Sequence, residues 1–454
     1  MSSERGSFSG KIGFVLAAAG ASVGLGNIWR FPYLAAKYGG GMFLIIYILL
    51  VLTFGFSMVI AETSIGRMTK KSPVGAFKTF GNAKWLKVGG WINVIIPLLI
   101  VPYYSVIGGW VLKYLMEYLF QNGSTLADDG YFGSFISNGL SCEIYFIFFA
   151  LITLFIVFNG VKNGVEKVSR IMMPILVVLS ILIMIYSVTR PGAIEGVKYL
   201  LIPNFKNFSL MTIVAAMGQM FYSLSIAMGI LITYGSYIKD DTSIEESTKQ
   251  VEIFDTLIAI IAGLMIIPAV FAFSGGDAEK LKAGPSLMFI TIPKVFDSMG
   301  FGNIIGILFF VLVLFAALTS SIALTESVVA TITDELKTSR HKATIITGII
   351  TIILGTLSAL CYGPLSNIKM LGMQFLDFFD FITNSIMMPI SAILICILTT
   401  YVIGIKKIEK EVCLNNKAFK QKKIFAFMIK YLCPIFSIII LISSILNTFG
   451  IIHM

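Results

Sequence analysis

The sequence predicts an all-α integral membrane protein of about eleven transmembrane helices. Two inverted five-helix repeats carry broken helices one and six, and one helix follows them. Three observations predict this. The chain is 57% hydrophobic and 13% charged, with mean hydropathy +0.90, more apolar surface than a soluble core can bury. Apolar runs near or above the roughly 20 residues needed to cross a bilayer recur along it. Small and polar residues interrupt two of those runs at matching places in the two halves.

The spans lie near 11–37, 41–68, 88–120, 143–159, 165–188, 211–236, 250–275, 302–333, 343–361, 375–404 and 425–449, and the fourth is the shortest. In the first, residues 17–32 place Gly20, Gly24 and Gly26 ahead of Asn27, Arg30 and Pro32. Glycine weakens a helix by about 1 kcal/mol relative to alanine and proline distorts the preceding turn, so this helix breaks near mid-depth. Freed carbonyls and amides survive there only when buried in protein or lining a site. Close helix packing accounts for the glycines but not for Asn27 and Arg30. In the sixth span, 218–229 is similarly small and polar at its centre. Spans one and six are corresponding members of halves 11–188 and 211–404, with 425–449 as an added helix, all within a single membrane domain, 1–454. Each half has an odd number of spans, so the second runs inverted; matched breaks, not residue identity, carry this reading.

Charge orients the spans. Arg5 and Lys11 precede the first, and Arg67, Lys70, Lys71, Lys78, Lys84 and Lys87 fill the next loop on that side. Lys162, Lys167 and Arg170, then the lysines of 406–423, mark later ones, whereas 121–142 holds Asp128 and Asp129 without a lysine or arginine. By the positive-inside rule the N-terminus is cytoplasmic and the C-terminus extracellular, in a multi-pass protein of the cell membrane. The net charge of +10 is a matter of orientation and no nucleic acid is expected. Five scattered cysteines and two histidines, His341 and His453, show no metal spacing.

Ionisable residues inside spans need a partner or a cavity. Glu62, late in the second span, is placed to accept from amides freed by a broken helix. Asp255, in the seventh ahead of Pro268, pairs with a donor or holds a cation. Ala316-Ala317-Leu318-Thr319-Ser320-Ser321 crosses the eighth. Such hydroxyls usually bond back along their own helix, but opposite a broken helix they complete an oxygen cage for a hard cation.

At these residues the chain resembles the neurotransmitter:sodium symporter family, in particular its bacterial amino-acid transporters. The motifs are Gly24-Leu25-Gly26-Asn27-Ile28-Trp29-Arg30-Phe31-Pro32, Gly39-Gly40-Gly41 with Tyr47, Gly218-Gln219 to Ser225, and Leu318-Thr319-Ser320-Ser321. The resemblance implies two sodium sites, one from Ser22, Asn27, Ser223 and Asp255, the other from Gly20, Val23, Ala316, Thr319 and Ser320. It implies a substrate pocket of Ala21, Ser22, Leu25, Gly26, Ile100, Tyr104, Tyr222, Ser223, Ser225, Met228, Ser321 and Leu324, with Tyr104 on the substrate carboxylate and Tyr222 as lid. Monoamine carriers similar to this chain have an aspartate where Gly24 stands, so a substrate bearing its own carboxylate is implied: a hydrophobic or aromatic L-amino acid, taken up by sodium symport. Asp255 replaces an asparagine of many relatives, close to the chloride site of chloride-dependent members, so chloride independence is implied. Ala259 stands where a relative carries an acidic residue one turn later.

Gates implied by the resemblance pair Arg30 with Asp380 outside and Arg5 with Asp334 inside, with Phe8 where relatives often have tryptophan. Gly164 and Pro174 bracket a stretch of the fifth span suited to local unwinding. A proton-coupled amino-acid carrier is a close alternative, because Asp255 can titrate. An ion channel needs pore-lining rings from an oligomer, and an enzyme needs a nucleophile–base or metal cluster that this chain lacks, so no enzyme is expected. The partners expected are the L-amino acid, sodium ions and the bilayer, around a monomer or weak dimer.

Overall fold

Residues 6–120, 123–276 and 285–451 are described by a computed structural model. Among them there is no β-strand, and nine helices are each long and apolar enough to cross a bilayer. A tenth span is the pair α1 (Lys11–Ser22) and α2 (Gly26–Lys37), bent by 53°. The further spans are α3 (Gly41–Thr69), α4 (Lys84–Phe120), α5 (Gly139–Phe158) and α6 (Val161–Val188). A second interrupted pair follows, α7 (Leu210–Ser223) and α8 (Ile230–Gly235). Then come α9 (Ile244–Ser274), α10 (Gly302–Leu336), α11 (Arg340–Ala359), α12 (Phe375–Val412) and α13 (Lys422–Thr448).

Side chains at the helix starts explain several boundaries. Asn138 accepts from the Ser141 amide to start α5, Ser209 and Thr212 cap each other's amides at α7, and Ser243 accepts from the Glu246 amide at α9. Such caps satisfy amides that the first turn leaves unpaired. The Asn138 cap corrects the fourth span, expected at 143–159: it begins at Gly139 and reaches 20 residues. The tenth span also runs past 404, to Val412. Short helices in the connections, Pro73–Thr79, Tyr131–Ser137 and Ala193–Leu201, are too short for a hydropathy signal.

Burial separates inner from outer helices. The apolar stretch of α4 is 83% buried, and those of α10 and α3 are 72% and 67% buried. For α5 and α13 the share is 33%, so these two present most of their surface to lipid. Both interrupted pairs lie inside the inner group: α1 packs on α9 and α10, and α7 and α8 on α3. At the basic end, the buried Arg67 guanidinium ties α3 to Glu411 of α12 at 2.6 Å and to the Thr242 carbonyl at 2.8 Å. Phe8 forms an apolar plug there, edge-on to Tyr234 and Tyr237 with centroids 5.5 and 5.9 Å away.

Candidate functional site

The first break is set at Val23, whose ψ of 96° leaves the helical region. The second spans 224–229, with Ser225, Ala227 and Gly229 all left-handed, at φ 53°, 62° and 71°. Non-glycine residues held there cost roughly 1–3 kcal/mol each and persist only when neighbours fix them. The neighbours are specific: Glu62 Oε1 accepts from the Ala227 amide at 2.7 Å, as expected of this carboxylate, and the Ser225 hydroxyl donates to the Ala21 carbonyl at 3.0 Å. Gln219 donates to the Gly26 carbonyl at 3.1 Å. The two breaks are thereby bonded directly to each other.

Two polar clusters meet at these breaks. In the first, Asp255 accepts from Asn27 Nδ2 at 2.8 Å, from Ser223 at 2.9 Å and from Tyr47 at 3.0 Å. Asp255, Asn27 and Tyr47 are fully buried. Among the described residues the buried Ser22 hydroxyl has no hydrogen-bond partner, and neither has Gln219 Oε1. Unmet oxygens of this kind are rare in a core; together with the Asp255 carboxylate they suit a cation.

In the second cluster the Ser320 hydroxyl lies 3.3 Å from the Gly20 carbonyl, 3.2 Å from Ala21 and 3.4 Å from Val23. One hydroxyl has one proton to give, and Ser225 also serves Ala21, so the Gly20 and Val23 carbonyls converge on a point where Ser320 cannot satisfy both. Thr319 bonds back to Phe315 and Ala316 of its own helix at 3.0 and 3.2 Å. Carbonyl and hydroxyl oxygens alone are the donor set that hard cations take.

Between the clusters is a cavity of about 30 Å³, lined by Ala21, Ser22, Gly24, Leu25, Gly26, Asn27, Ile100, Tyr104, Tyr222, Ser223, Ser225, Met228, Ser320 and Leu324. Eleven of the twelve residues expected there are present; Ser321 is not. Its hydroxyl accepts from Thr153 of α5 at 3.2 Å. Successive helix residues point about 100° apart, so only one of Ser320 and Ser321 can face the cavity, and Ser320 does. Tyr104 lies over the break, its hydroxyl accepting from the Leu25 amide at 3.4 Å. A Cβ on Gly24 would lie 2.6 Å from Ser320 Oγ and 3.1 Å from the Tyr104 hydroxyl. Gly24→Ala is therefore expected to displace both groups, at an overpacking cost of about 1–3 kcal/mol, and to lower substrate and sodium affinity at least about tenfold. Equilibrium binding to the purified variant checks this; wild-type affinities would show that the gap is not needed.

Outside this cavity the Arg30 guanidinium stacks 5.2 Å from the Tyr222 ring centroid. Beyond it is a second cavity of about 180 Å³ with Arg30 and Asp380 on its walls. They share the cavity, but among the described residues no ion pair joins them: Asp380 accepts from Tyr103 and Asn384 instead. On the basic side a vestibule of about 730 Å³ includes Asp334, which accepts from the Ser72 amide at 2.8 Å. Arg5 lies outside the described residues. Residues 161–166, around Gly164, adopt a wider π-helical turn ahead of Pro174, a common mark of functional positions.

Helices interrupted at mid-depth around paired oxygen-rich clusters define a membrane transporter. Comparison with known proteins agrees: residues 5–125 and 136–451 match the model of the sodium:neurotransmitter symporter family, and the chain belongs to it. It is 35% identical over 444 residues to YhdH of Bacillus subtilis (strain 168), an uncharacterized sodium-dependent transporter, covering 96% of this chain and 97% of the relative. A sodium-dependent transporter of Methanocaldococcus jannaschii, MJ1319, also uncharacterized, is 32% identical, with 97% and 90% covered. The solved structure of MhsT in complex with L-phenylalanine superposes with a TM-score of 0.87 at 36% identity, covering 97% of this chain and all of that one.

Proposed function

We propose that this chain imports a hydrophobic or aromatic L-amino acid, coupled to sodium, by alternating access. The observation that carries the reading is the small cavity walled by both broken helices. Its side chains are mostly apolar, and its uncharged Gly24 gap lies beside Tyr104. Unwound amides and a half-helix N-terminus favour the substrate carboxylate, and the Tyr104 hydroxyl adds a donor. Leu25, Ile100, Met228 and Leu324 would surround the side chain, with Met228 flexible enough to yield as the cavity fills. MhsT, with phenylalanine bound in its solved structure, supports an aromatic cargo.

Sodium would occupy two sites: Ser22, Asn27, Ser223 and Asp255 at the first, and Gly20, Val23, Ala316, Thr319 and Ser320 at the second. Arg30 with Asp380, and Arg5 with Asp334, would close the outer and inner paths. Such pairs are worth roughly 0–1 kcal/mol when exposed, which suits gates that must open. The halves 11–188 and 211–404 would rock as inverted repeats, with the basic loops and N-terminus in the cytoplasm and the C-terminus outside. The carrier would act as a monomer or weak dimer.

The test is uptake into proteoliposomes. Concentrative uptake of L-phenylalanine or L-leucine is expected with an inward sodium gradient and is lost when potassium or choline replaces sodium. Uptake driven by a pH gradient alone would favour the second reading, proton coupling through the buried Asp255 carboxylate.

A further inference from the structure

A groove of about 530 Å³ runs along the outer face between α5 and α11. Its walls are Leu151, Phe155 and Phe158 on one side and Ile345, Ile349 and Ile353 on the other, all exposed. Gly348 forms part of its floor, where an added Cβ would approach Leu154 Cδ1 to 3.0 Å. Thr344, the one hydroxyl in the lining, is turned back to the Arg340 carbonyl at 3.0 Å. The groove therefore offers nothing to water. Between two membrane-spanning helices such a groove suits an apolar chain.

The headgroup end is set by charge. At the basic end of the bundle the Phe158 ring lies tilted against His341, with centroids 4.3 Å apart. Exposed Lys162 follows α5, Lys337 closes α10 and exposed Lys342 lies in the first turn of α11. Nearby carboxylates are already engaged: Glu335 with Lys78, Glu326 with Arg340 and Glu166 with Arg170. Among the described residues no ion pair takes up Lys162, Lys337 or Lys342. Lipid tails are as apolar as leucine, so the groove alone does not choose among lipids; the lysines do, by attracting an anionic headgroup. A second copy placed symmetrically on this face would bring the same cations together, which disfavours a dimer contact.

We infer that this groove is a binding site for one anionic phospholipid, its acyl chain between α5 and α11 and its phosphate among Lys162, Lys337 and Lys342. The full chain in detergent, titrated with phosphatidylglycerol or phosphatidylcholine of identical acyl chains, tests it by native mass spectrometry. One phosphatidylglycerol is expected to bind about tenfold more tightly than phosphatidylcholine. Lys162→Gln with Lys342→Gln should erase most of that preference without changing the melting temperature, since both side chains are exposed. Gly348→Leu, which fills the floor, should weaken both lipids alike. Equal retention of the two lipids by the wild-type chain, or a preference that survives the lysine substitutions, would overturn the inference. So would a dimer that competes with lipid for the groove.

Discussion

A chain carrying Thr319→Ala and Ser320→Ala is expected to lose sodium binding while folding to near wild-type yield. Each hydroxyl bonded to a charged partner is worth about 1.5–3 kcal/mol, so removing two costs about 3 kcal/mol or more, over about a hundredfold in affinity. The folded protein loses less. Thr319 bonds only to carbonyls of its own helix, and Ser320 shares one proton among three carbonyls, contacts worth about 1 kcal/mol each net. Binding of radioactive sodium, compared with the monodisperse fraction after purification, separates the effects. Equal losses in both would assign these hydroxyls to packing.

The second large effect is expected at Asp255. Transport by the unmodified chain should be unchanged when gluconate replaces chloride at constant sodium. Asp255→Asn should slow it by tenfold or more, and added chloride should restore part of the loss. A unit charge about 4 Å from a cation is worth about 4 kcal/mol at an effective dielectric of 20. Asparagine keeps the shape but removes the charge. Asn27, Ser223 and Tyr47, which all donate to Asp255, would then face an anion-sized deficit that chloride can fill. Strong chloride dependence of the unmodified chain would show that Asp255 does not serve as the fixed anion.

Much of this was legible in the sequence because lipid imposes a one-dimensional rule: each crossing needs its own apolar run. The first break was readable from Gly20, Gly24 and Gly26, and the role of Glu62 from a carboxylate in a span with a broken helix to serve. What sequence did not show depends on rotation and side-chain choice. Ser321 turned to Thr153 because helix α5 packs on that face of α10, a fact no local pattern contains. Arg30 and Asp380 reach one cavity, yet each has other company in this conformation: Tyr222 for the cation, Tyr103 and Asn384 for the carboxylate. The start of α5 escaped hydropathy because Asn138 caps a turn of Gly139, Leu140 and Ser141 too polar to register as membrane.

The cage around Ser320 draws its oxygens from Gly20, Ala21 and Val23 through the main chain. Any amino acid supplies a carbonyl. The side chains at such positions are not themselves ligands, so the space they fill constrains them more than their chemistry does. Mutational tolerance should be lopsided there: permissive toward chemistry, strict toward bulk. A Cβ on Gly20 would press to 3.1 Å on Thr319, and one on Gly24 to 2.6 Å on Ser320. Across diverging descendants, a cluster built this way, if it holds the proposed sodium ion, would leave two hydroxyls and two glycines as its visible fossil, with the remaining ligands hidden in the curve of the backbone.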